Sequence, residues 1–185
     1  MPATTLDPRT ALIVIDLQKG IVAMAPAAGA VVARAARLAE AFRSRRAPVV
    51  LVTVAGAAPG RTEQGFRAGT LPADWTELVP ELNRQPQDHL VTKRTWGAFT
   101  NTDLLDRLRG EGVTQVVIAG VSTSIGVEST ARQAYELGFN VTLATDAMTD
   151  MRAEAHDNSV QRIFPRLGET ATTDEILALL GAAPQ

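Results

Sequence analysis

The chain has 185 residues, of which 45% are apolar, and its formal net charge is −2. This length and apolar content predict one globular domain, residues 1–185, with a sizeable core. The near-neutral charge, without a cluster of Lys or Arg, excludes an electrostatic surface for nucleic acid. No apolar run approaches the roughly 20 residues of a bilayer-spanning helix, and no secretory leader pattern is present. We therefore expect a cytoplasmic protein without a membrane partner.

The sequence contains no cysteine. This excludes disulfides, thiolate metal sites and thiol nucleophiles in one step. The two histidines, His89 and His156, lie far apart and lack the spacing of metal ligands. We therefore predict no metal and no cofactor, and we interpret His156 as structural.

The first part of the chain predicts a strand, a helix and a second strand. Residues 11–15 and 49–54 are apolar runs without alternation, which is typical of parallel strands covered on both faces. Apolar residues spaced three and four apart predict a helix over about 27–46, with Arg43, Arg45 and Arg46 at its exposed end. A crossover of this length implies a right-handed unit with parallel strands.

Residues 55–87 predict a long irregular connection, because glycine and proline are dispersed through them. A short helical turn is predicted over residues 75–80. Such connections are often functional, and Arg61, Arg67 and Trp75 are either pocket residues or exposed loop residues.

Strands and helices continue to alternate through the second part of the chain. Strands are predicted over residues 89–92, 116–119, 141–144 and 170–172, and helices over residues 103–109, 125–138, 153–164 and 174–180. Thr173 is the expected cap of the last helix. The alternation predicts an α/β fold of three layers, in which helices cover both faces of a mostly parallel sheet of about six strands.

Three chemical features follow strands that should end at one edge of this sheet. Asp16 ends the first strand, Lys93 ends the third, and a run of small residues, the elbow (residues 120–126), follows the fourth. Ligands of open α/β sheets lie beyond the carboxyl ends of the strands, so we expect these features to meet. The alternative is that Asp16 only caps the next turn. Lys93 would favour the ionised form of Asp16 and burial the neutral form, and the sequence leaves open which effect is larger.

The elbow joins a strand to a helix. The first N–H groups of such a helix have no partner within it, so an anion or a developing oxyanion is favoured above the strand end. The alternative is that Gly120 is only a turn residue and that Ser122, Thr123 and Ser124 only cap a helix.

The elbow residues also resemble a known family. The segment Gly120-Val-Ser-Thr-Ser-Ile-Gly-Val-Glu-Ser-Thr-Ala131, with Asp146-Ala-Met-Thr-Asp150 after it, is similar to the signature of the isochorismatase-like hydrolase superfamily. Residues 12–18 resemble the family's first strand with its catalytic Asp and following Gln, and residues 91–104 resemble the segment with its catalytic Lys. The resemblance covers roughly residues 11–180 and implies a Rossmann-like, isochorismatase-like fold.

The resemblance places the Asp-Lys-Cys triad of the cysteine hydrolases at Asp16, Lys93 and Gly126, so that glycine stands in place of the nucleophile. It also implies a cis peptide within the elbow, at Val121–Ser122, and a homo-oligomer, either a dimer or a tetramer. The predicted substrate contacts are Gln18, Trp96, Val121, Ser122, Ser124 and Ile125.

A glycine at this position resembles the true isochorismatases, which cleave a vinyl ether by protonating carbon and need no nucleophile. The resemblance therefore implies a hydrolase of a small metabolite in which Asp16 is the general acid. Lys93 and the elbow amides would hold a substrate carboxylate, and Gly126 would leave room for the substrate. True isochorismatases carry an aromatic and a basic residue where this chain has Ser122 and Ser124, so the substrate stays open.

Two further interpretations differ in kind. A catalytically silent family member that binds a small ligand or a protein partner is the alternative, because the triad is incomplete. A nicotinamidase is disfavoured, because its metal site needs an Asp-x-His where the second strand here ends in Val52-Thr-Val54.

Overall fold

The chain forms a six-stranded sheet in the computed structural model, which describes residues 2–63 and 71–182. The strands are β1 (Thr10–Ile15), β2 (Val49–Val54), β3 (His89–Lys93), β4 (Gln115–Val121), β5 (Asn140–Thr149) and β6 (Glu169–Ala171). Their order is β3-β2-β1-β4-β5-β6, and each neighbouring pair is parallel. The predicted α/β class and the mostly parallel sheet are confirmed.

Helices cover both faces of the sheet. The α-helices are α1 (Lys19–Val22), α2 (Ala28–Ser44), α3 (Leu104–Gly110), α4 (Glu128–Glu136), α5 (Ala153–Asn158) and α6 (Thr173–Ala182). Short 3-10 turns lie at Pro80–Leu82 and Phe164–Arg166, and π-helical turns at Thr123–Val127 and Ser159–Ile163.

The two faces of β1 explain the layers. All six residues of this strand are buried. Leu12 and Val14 belong to the core beneath α2 and α6. Ile13 and Ile15 belong to the second core, beneath α3 and α4. Because successive side chains of a strand point to opposite faces, a continuous apolar run is what a central strand between two helical layers requires.

The strand β5 is longer than the sequence predicts and contains a bulge. Ile118 of β4 pairs with Leu143, but Gly120 pairs with Met148, so the four residues 144–147 of β5 lie opposite the single Ala119 of β4. The strand predicted over residues 141–144 is therefore too short. Asp146 leaves the ladder because its carboxylate accepts hydrogen bonds from the Thr173 N–H and hydroxyl at 2.7 and 2.9 Å.

Several local predictions need correction. The short helix α1 was not predicted. The elbow passes into α4 through a π-helical turn, and α5 ends in a second one, so neither is a continuous α-helix. The 3-10 turn at Pro80–Leu82 replaces the helical turn predicted over residues 75–80. The residue that caps α6 is Thr172 and not Thr173, because its hydroxyl accepts from the Glu175 N–H while the Glu175 carboxylate accepts from the Thr172 N–H.

Arg43 is not an exposed helix end. Its guanidinium donates two hydrogen bonds to the Asp88 carboxylate, at 3.0 and 2.8 Å, and a third to the Leu82 carbonyl at 3.1 Å. The Asp88 side chain is fully buried. A bidentate, buried pair of this kind ties the end of α2 to the start of β3. Across the described residues, no helix is both long and apolar enough to cross a membrane.

Gly120 marks the closest approach between β1 and the elbow. Its φ is +123°, and a Cβ built on it would lie 2.0 Å from the Ile15 carbonyl oxygen. We expect Gly120→Ala to lower the free energy of unfolding by ~3 kcal/mol or more, since overpacking combines with an unfavourable backbone conformation. Urea denaturation measures this change.

Gly29 is the matched control. It is exposed in α2, and a Cβ there would meet nothing within 4 Å. Gly29→Ala should leave the free energy of unfolding equal or raise it by less than ~1 kcal/mol, because alanine is the better helix former. Equal effects at both glycines would contradict the packing argument.

Candidate active site

Asp16 leaves β1 at the carboxyl edge of the sheet. Its φ is +51°, a left-handed conformation that Asp tolerates better than most residues. Its backbone N–H still donates to the Val52 carbonyl of β2 at 2.9 Å, so the turn begins directly at the strand end. The residue is 5% exposed, which places a carboxyl group in an apolar setting.

Lys93 reaches this carboxyl group from β3, two strands away. Its ammonium donates to Asp16 Oδ2 at 2.7 Å and to the Thr95 carbonyl at 3.2 Å. The lysine is 2% exposed, so the contact is shielded from water. The expected meeting of Asp16 and Lys93 at one sheet edge is therefore found, and the alternative of Asp16 as a simple turn cap is not.

Burial decides the protonation of Asp16. It raises the pKa of this carboxyl group from 3.8 to about 6, against the smaller lowering by the charge and hydrogen bond of Lys93. Oδ2 accepts from the ammonium, whereas Oδ1 is buried and has no hydrogen-bond partner within the part of the chain that the structure describes. Because Oδ2 is already an acceptor, a proton on this group resides on Oδ1.

The elbow brings Gly126 directly over this acid. A Cβ at Gly126 would lie 3.2 Å from Asp16 Oδ2 and 2.9 Å from Ile15 Cγ2. The peptide bond between Val121 and Ser122 is cis, as the resemblance implies. Asp16, Lys93 and Gly126 thus form one cluster, in which the elbow packs so closely on Oδ2 and Ile15 that a side chain at position 126 would collide with them.

Gln18 has a structural position. It is fully buried, its amide donates to the carbonyls of Val54 and Trp75 at 3.1 and 3.0 Å, and its side-chain oxygen accepts from the Val54 N–H at 2.7 Å. Contact of Gln18 with a substrate stays a prediction. The side chain ties the turn after Asp16 to the end of β2 and to the segment around Trp75.

Ser124 is largely occupied by a carboxylate that was not predicted in any role. Its N–H and its hydroxyl both donate to Asp150 Oδ2, at 2.7 and 2.8 Å. Ser124 can therefore offer a substrate only the acceptor side of its hydroxyl, and its contact with a substrate stays a prediction. The sequence signal for Asp150 was an acidic residue that follows a predicted strand, at the edge of the sheet where Asp16 and Lys93 lie.

The other predicted contacts differ in exposure. Trp96 is 60% exposed and Ile125 is 39% exposed, so both present apolar surface to solvent. Ser122 is half-buried, and Val121 is fully buried with its side chain in the core. Contact of these four residues with a substrate stays a prediction.

Two of the loop residues are placed, and one is not. Arg61 is exposed. The ring of Trp75 packs over Gly20, where a Cβ would come within 2.2 Å of it. Arg67 lies outside the described residues.

His156 places Nδ1 2.8 Å from the Thr123 hydroxyl of the elbow. Within residues 2–63 and 71–182, no three His, Cys, Asp or Glu side chains come together as a metal ion would need.

The fold and this cluster define an α/β protein in which a buried acid and lysine meet beneath a strand-to-helix elbow. A sequence model of the isochorismatase domain matches residues 10–175. The solved structure of an isochorismatase family protein from Burkholderia thailandensis has a TM-score of 0.92 at 42% identity, covering 96% of this chain and 98% of that chain.

Sequence relatives agree with this fold. YwoC, an uncharacterized isochorismatase family protein of Bacillus subtilis strain 168, is 44% identical over 176 residues, which cover 91% of this chain and 93% of the relative. A probable isochorismatase of Pseudomonas chlororaphis is 31% identical over 188 residues, which cover 94% of this chain and 87% of the relative. The chain therefore belongs to the isochorismatase family.

The buried pair should respond to mutation as a unit. Lys93→Met leaves a buried carboxyl without its donor, and Asp16→Ala leaves a buried ammonium without its acceptor. We expect the double variant to lose less free energy of unfolding than the sum of the single losses, with a coupling of at least ~1 kcal/mol. Urea denaturation of all four proteins measures the coupling.

An exposed pair provides the comparison. Arg37 donates to Asp174 at 2.8 Å, but these side chains are 55% and 80% exposed. Substituting Ala for both should give a coupling below ~1 kcal/mol, because water screens the charges. A buried pair that couples no more strongly than this one would show that Asp16 and Lys93 do not act together.

Proposed function

We propose that this protein is a hydrolase that cleaves a vinyl ether of a small metabolite, with Asp16 as general acid and without a covalent thiol intermediate. The observation that carries the proposal is Asp16 Oδ1, a buried carboxyl oxygen without a hydrogen-bond partner in the described structure. Gly126 packs against the other oxygen, Oδ2. A carboxyl group with a pKa of about 6 keeps about a tenth of its protons at pH 7, which suits a general acid.

The reaction requires one proton and one water molecule. Asp16 Oδ1–H protonates the vinyl carbon, and the ether carbon becomes an oxocarbenium ion. Water adds to that carbon and loses a proton, which restores the acid. The hemiketal then breaks its C–O bond, and the products are an alcohol and a ketone. No step of this reaction needs a thiol, in agreement with the absence of cysteine.

Lys93 has a supporting role in this proposal. Two of its three N–H donors are used by Asp16 and Thr95. The hydrogen bond to Oδ2 directs the acidic proton to Oδ1, and the positive charge stabilises the carboxylate that forms after proton transfer. The third N–H remains available for an anionic group of the substrate.

The relatives support a vinyl ether over an amide. The Pseudomonas chlororaphis relative is named a probable isochorismatase, and isochorismate carries a vinyl ether whose hydrolysis releases pyruvate. Amide hydrolysis by the cysteine route needs a thiolate, for which glycine offers no group. Isochorismate is therefore the first substrate to test, with pyruvate release as the measure of turnover.

A second function is favoured by one observation. Ser124 gives both of its donors to Asp150, so the elbow has less capacity to hold a substrate carboxylate than the family resemblance implies. This would suit a silent member that binds a ligand without turnover. Vinyl ethers, amides and carbamoyl compounds that bind in calorimetry but release no product would favour this alternative.

We also propose that the protein is a homo-oligomer. Exposed Trp96, Ile125 and Met151 present apolar surface that a second copy would cover. Sedimentation equilibrium distinguishes a monomer from a dimer or a tetramer.

Substitution of the acid should abolish turnover. We expect Asp16→Asn to lower kcat/KM for isochorismate by roughly 10²-fold or more, since the amide cannot donate a proton to carbon. Asp106→Asn, which changes an exposed carboxylate of α3, should leave it unchanged. Retention of activity in Asp16→Asn would sink the assignment of the acid.

The pH profile should follow the protonated acid. Because the active form is protonated and its pKa is about 6, kcat/KM should level off below about pH 6. It should fall about tenfold for each pH unit above that value, since the acid form is lost in that proportion. A rate that rises between pH 6 and 8 would instead identify a base.

Position 126 should tolerate no side chain. Gly126→Ala places a methyl group against Asp16 and Ile15. We expect kcat to fall at least roughly tenfold, because small displacements of a reacting group are costly. Gly110→Ala is the control, since a Cβ there would meet nothing within 4 Å. An unchanged kcat in Gly126→Ala would show that the close packing of position 126 against Asp16 does not matter for the reaction.

A further inference from the structure

Asp150 is a buried carboxylate that the proposed reaction does not use. It follows β5 and is 7% exposed. One oxygen, Oδ2, accepts from the N–H and the hydroxyl of Ser124, and the other, Oδ1, accepts from the Arg152 N–H at 3.2 Å. Three hydrogen bonds satisfy this group, and two of them come from the elbow.

The bulge of β5 aims Asp150 at the elbow. After the bulge at residues 144–147, β5 pairs with β4 again, and Thr149 lies opposite Val121. The next residue on each strand is therefore Asp150 on one side and Ser122, the start of the turn, on the other. A carboxylate here also complements the unsatisfied N–H groups and the positive dipole end of the following helical turn.

Two side chains that follow Asp150 in the chain also contact the elbow and the start of α4. His156 contacts the Thr123 hydroxyl at 2.8 Å, and the Ser159 hydroxyl donates to the Glu128 carboxylate at 2.6 Å. Both of these contacts use elbow or α4 side chains, whereas Asp150 also binds a backbone N–H. Asp150 therefore constrains the path of the main chain itself.

That path determines the surroundings of the acid. Gly126 lies two residues after Ser124 in the same π-helical turn and sits over Asp16. A shift of the turn by a fraction of an ångström would change both its packing against Oδ2 and the exclusion of water from the Asp16 carboxyl group. A residue that fixes Ser124 thus fixes the position of Gly126 relative to the acid.

We propose that Asp150 is a positioning residue, whose carboxylate holds the first turn of the elbow so that Gly126 stays over Asp16. The proposal rests on the proposed function only where turnover is the readout. If Asp150 were a purely structural cap, its removal would change only the stability of the fold. If it is a positioning residue, its removal also changes the environment of the Asp16 carboxyl group.

The decisive measurement is the titration of the Asp16 carboxyl carbon by NMR. In the wild-type protein Asp16 should titrate near pH 6, where burial places it. In Asp150→Ala the elbow is released and water reaches Asp16, so its pKa should fall by at least half of the distance to 3.8. Asp150→Asn keeps an acceptor for Ser124 and should restore the wild-type titration. Asp157→Ala, which removes an exposed charge from α5, should not change it.

Turnover gives the second readout. For isochorismate, Asp150→Ala should lower kcat at least tenfold with less than a threefold change in KM, and Asp150→Asn should recover most of kcat. Circular dichroism at each pH establishes that the variants are folded. If Asp150→Ala does not fold, Asp150→Ser takes its place, because its shorter side chain cannot reach Ser124.

The outcomes separate the two proposals. An unchanged Asp16 titration in the folded Asp150 variants overturns the positioning role, whatever the rates. A shifted titration in a protein that releases no pyruvate supports the positioning role and overturns isochorismate as the substrate of the proposed vinyl ether hydrolysis. A shifted titration together with an unchanged kcat shows that the elbow moves without consequence for the reaction, and this also overturns the positioning role.

Discussion

The contact between the Lys93 ammonium and the Asp16 carboxylate is the interaction on which the rest of the site depends. The two residues are 77 positions apart in sequence, and β2 lies between their strands. Only a parallel sheet in this order brings both strand ends to one edge, with the longer side chain spanning the intervening strand. Burial and Lys93 act on Asp16 in opposite directions, and burial raises the pKa of Asp16 more than Lys93 lowers it. The same burial that shields the contact therefore keeps about a tenth of the Asp16 carboxyl groups protonated at pH 7.

The elbow completes this site from the opposite side. Its close approach to β1 requires glycine at Gly120, and glycine at Gly126 lets the elbow pack directly against the Asp16 carboxyl group. The bulge in β5 then delivers Asp150 to the elbow, so that an irregularity of the ladder becomes a support of the site. The acid, the lysine and the elbow are thus parts of one packing arrangement that draws on four of the six strands.

Sequence reasoning predicted most of the fold and the centre of the site. Continuous apolar runs identify β1 and β2, and charged residues at strand ends identify Asp16 and Lys93. The resemblance then located the elbow. What remained hidden depends on contacts between distant residues. The full length of β5, the backbone hydrogen bonds of Gln18 and the ion pair of Arg43 became visible only with their distant partners. The protonation of Asp16 was equally undecidable, because burial can be measured only in the folded chain.

The position of β1 in the middle of the sheet has a consequence for synthesis of the protein. One flank of β1 accepts β2 soon after it is made, but the other waits for β4, where Thr10 meets Gln115 more than a hundred residues later. Until then a nascent chain presents an apolar strand with unpaired backbone donors and acceptors. Such an unfinished edge invites pairing with another chain, and closing so long a loop is slow. A strand that is fully buried in the finished molecule is thus open to mispairing while the chain is being made.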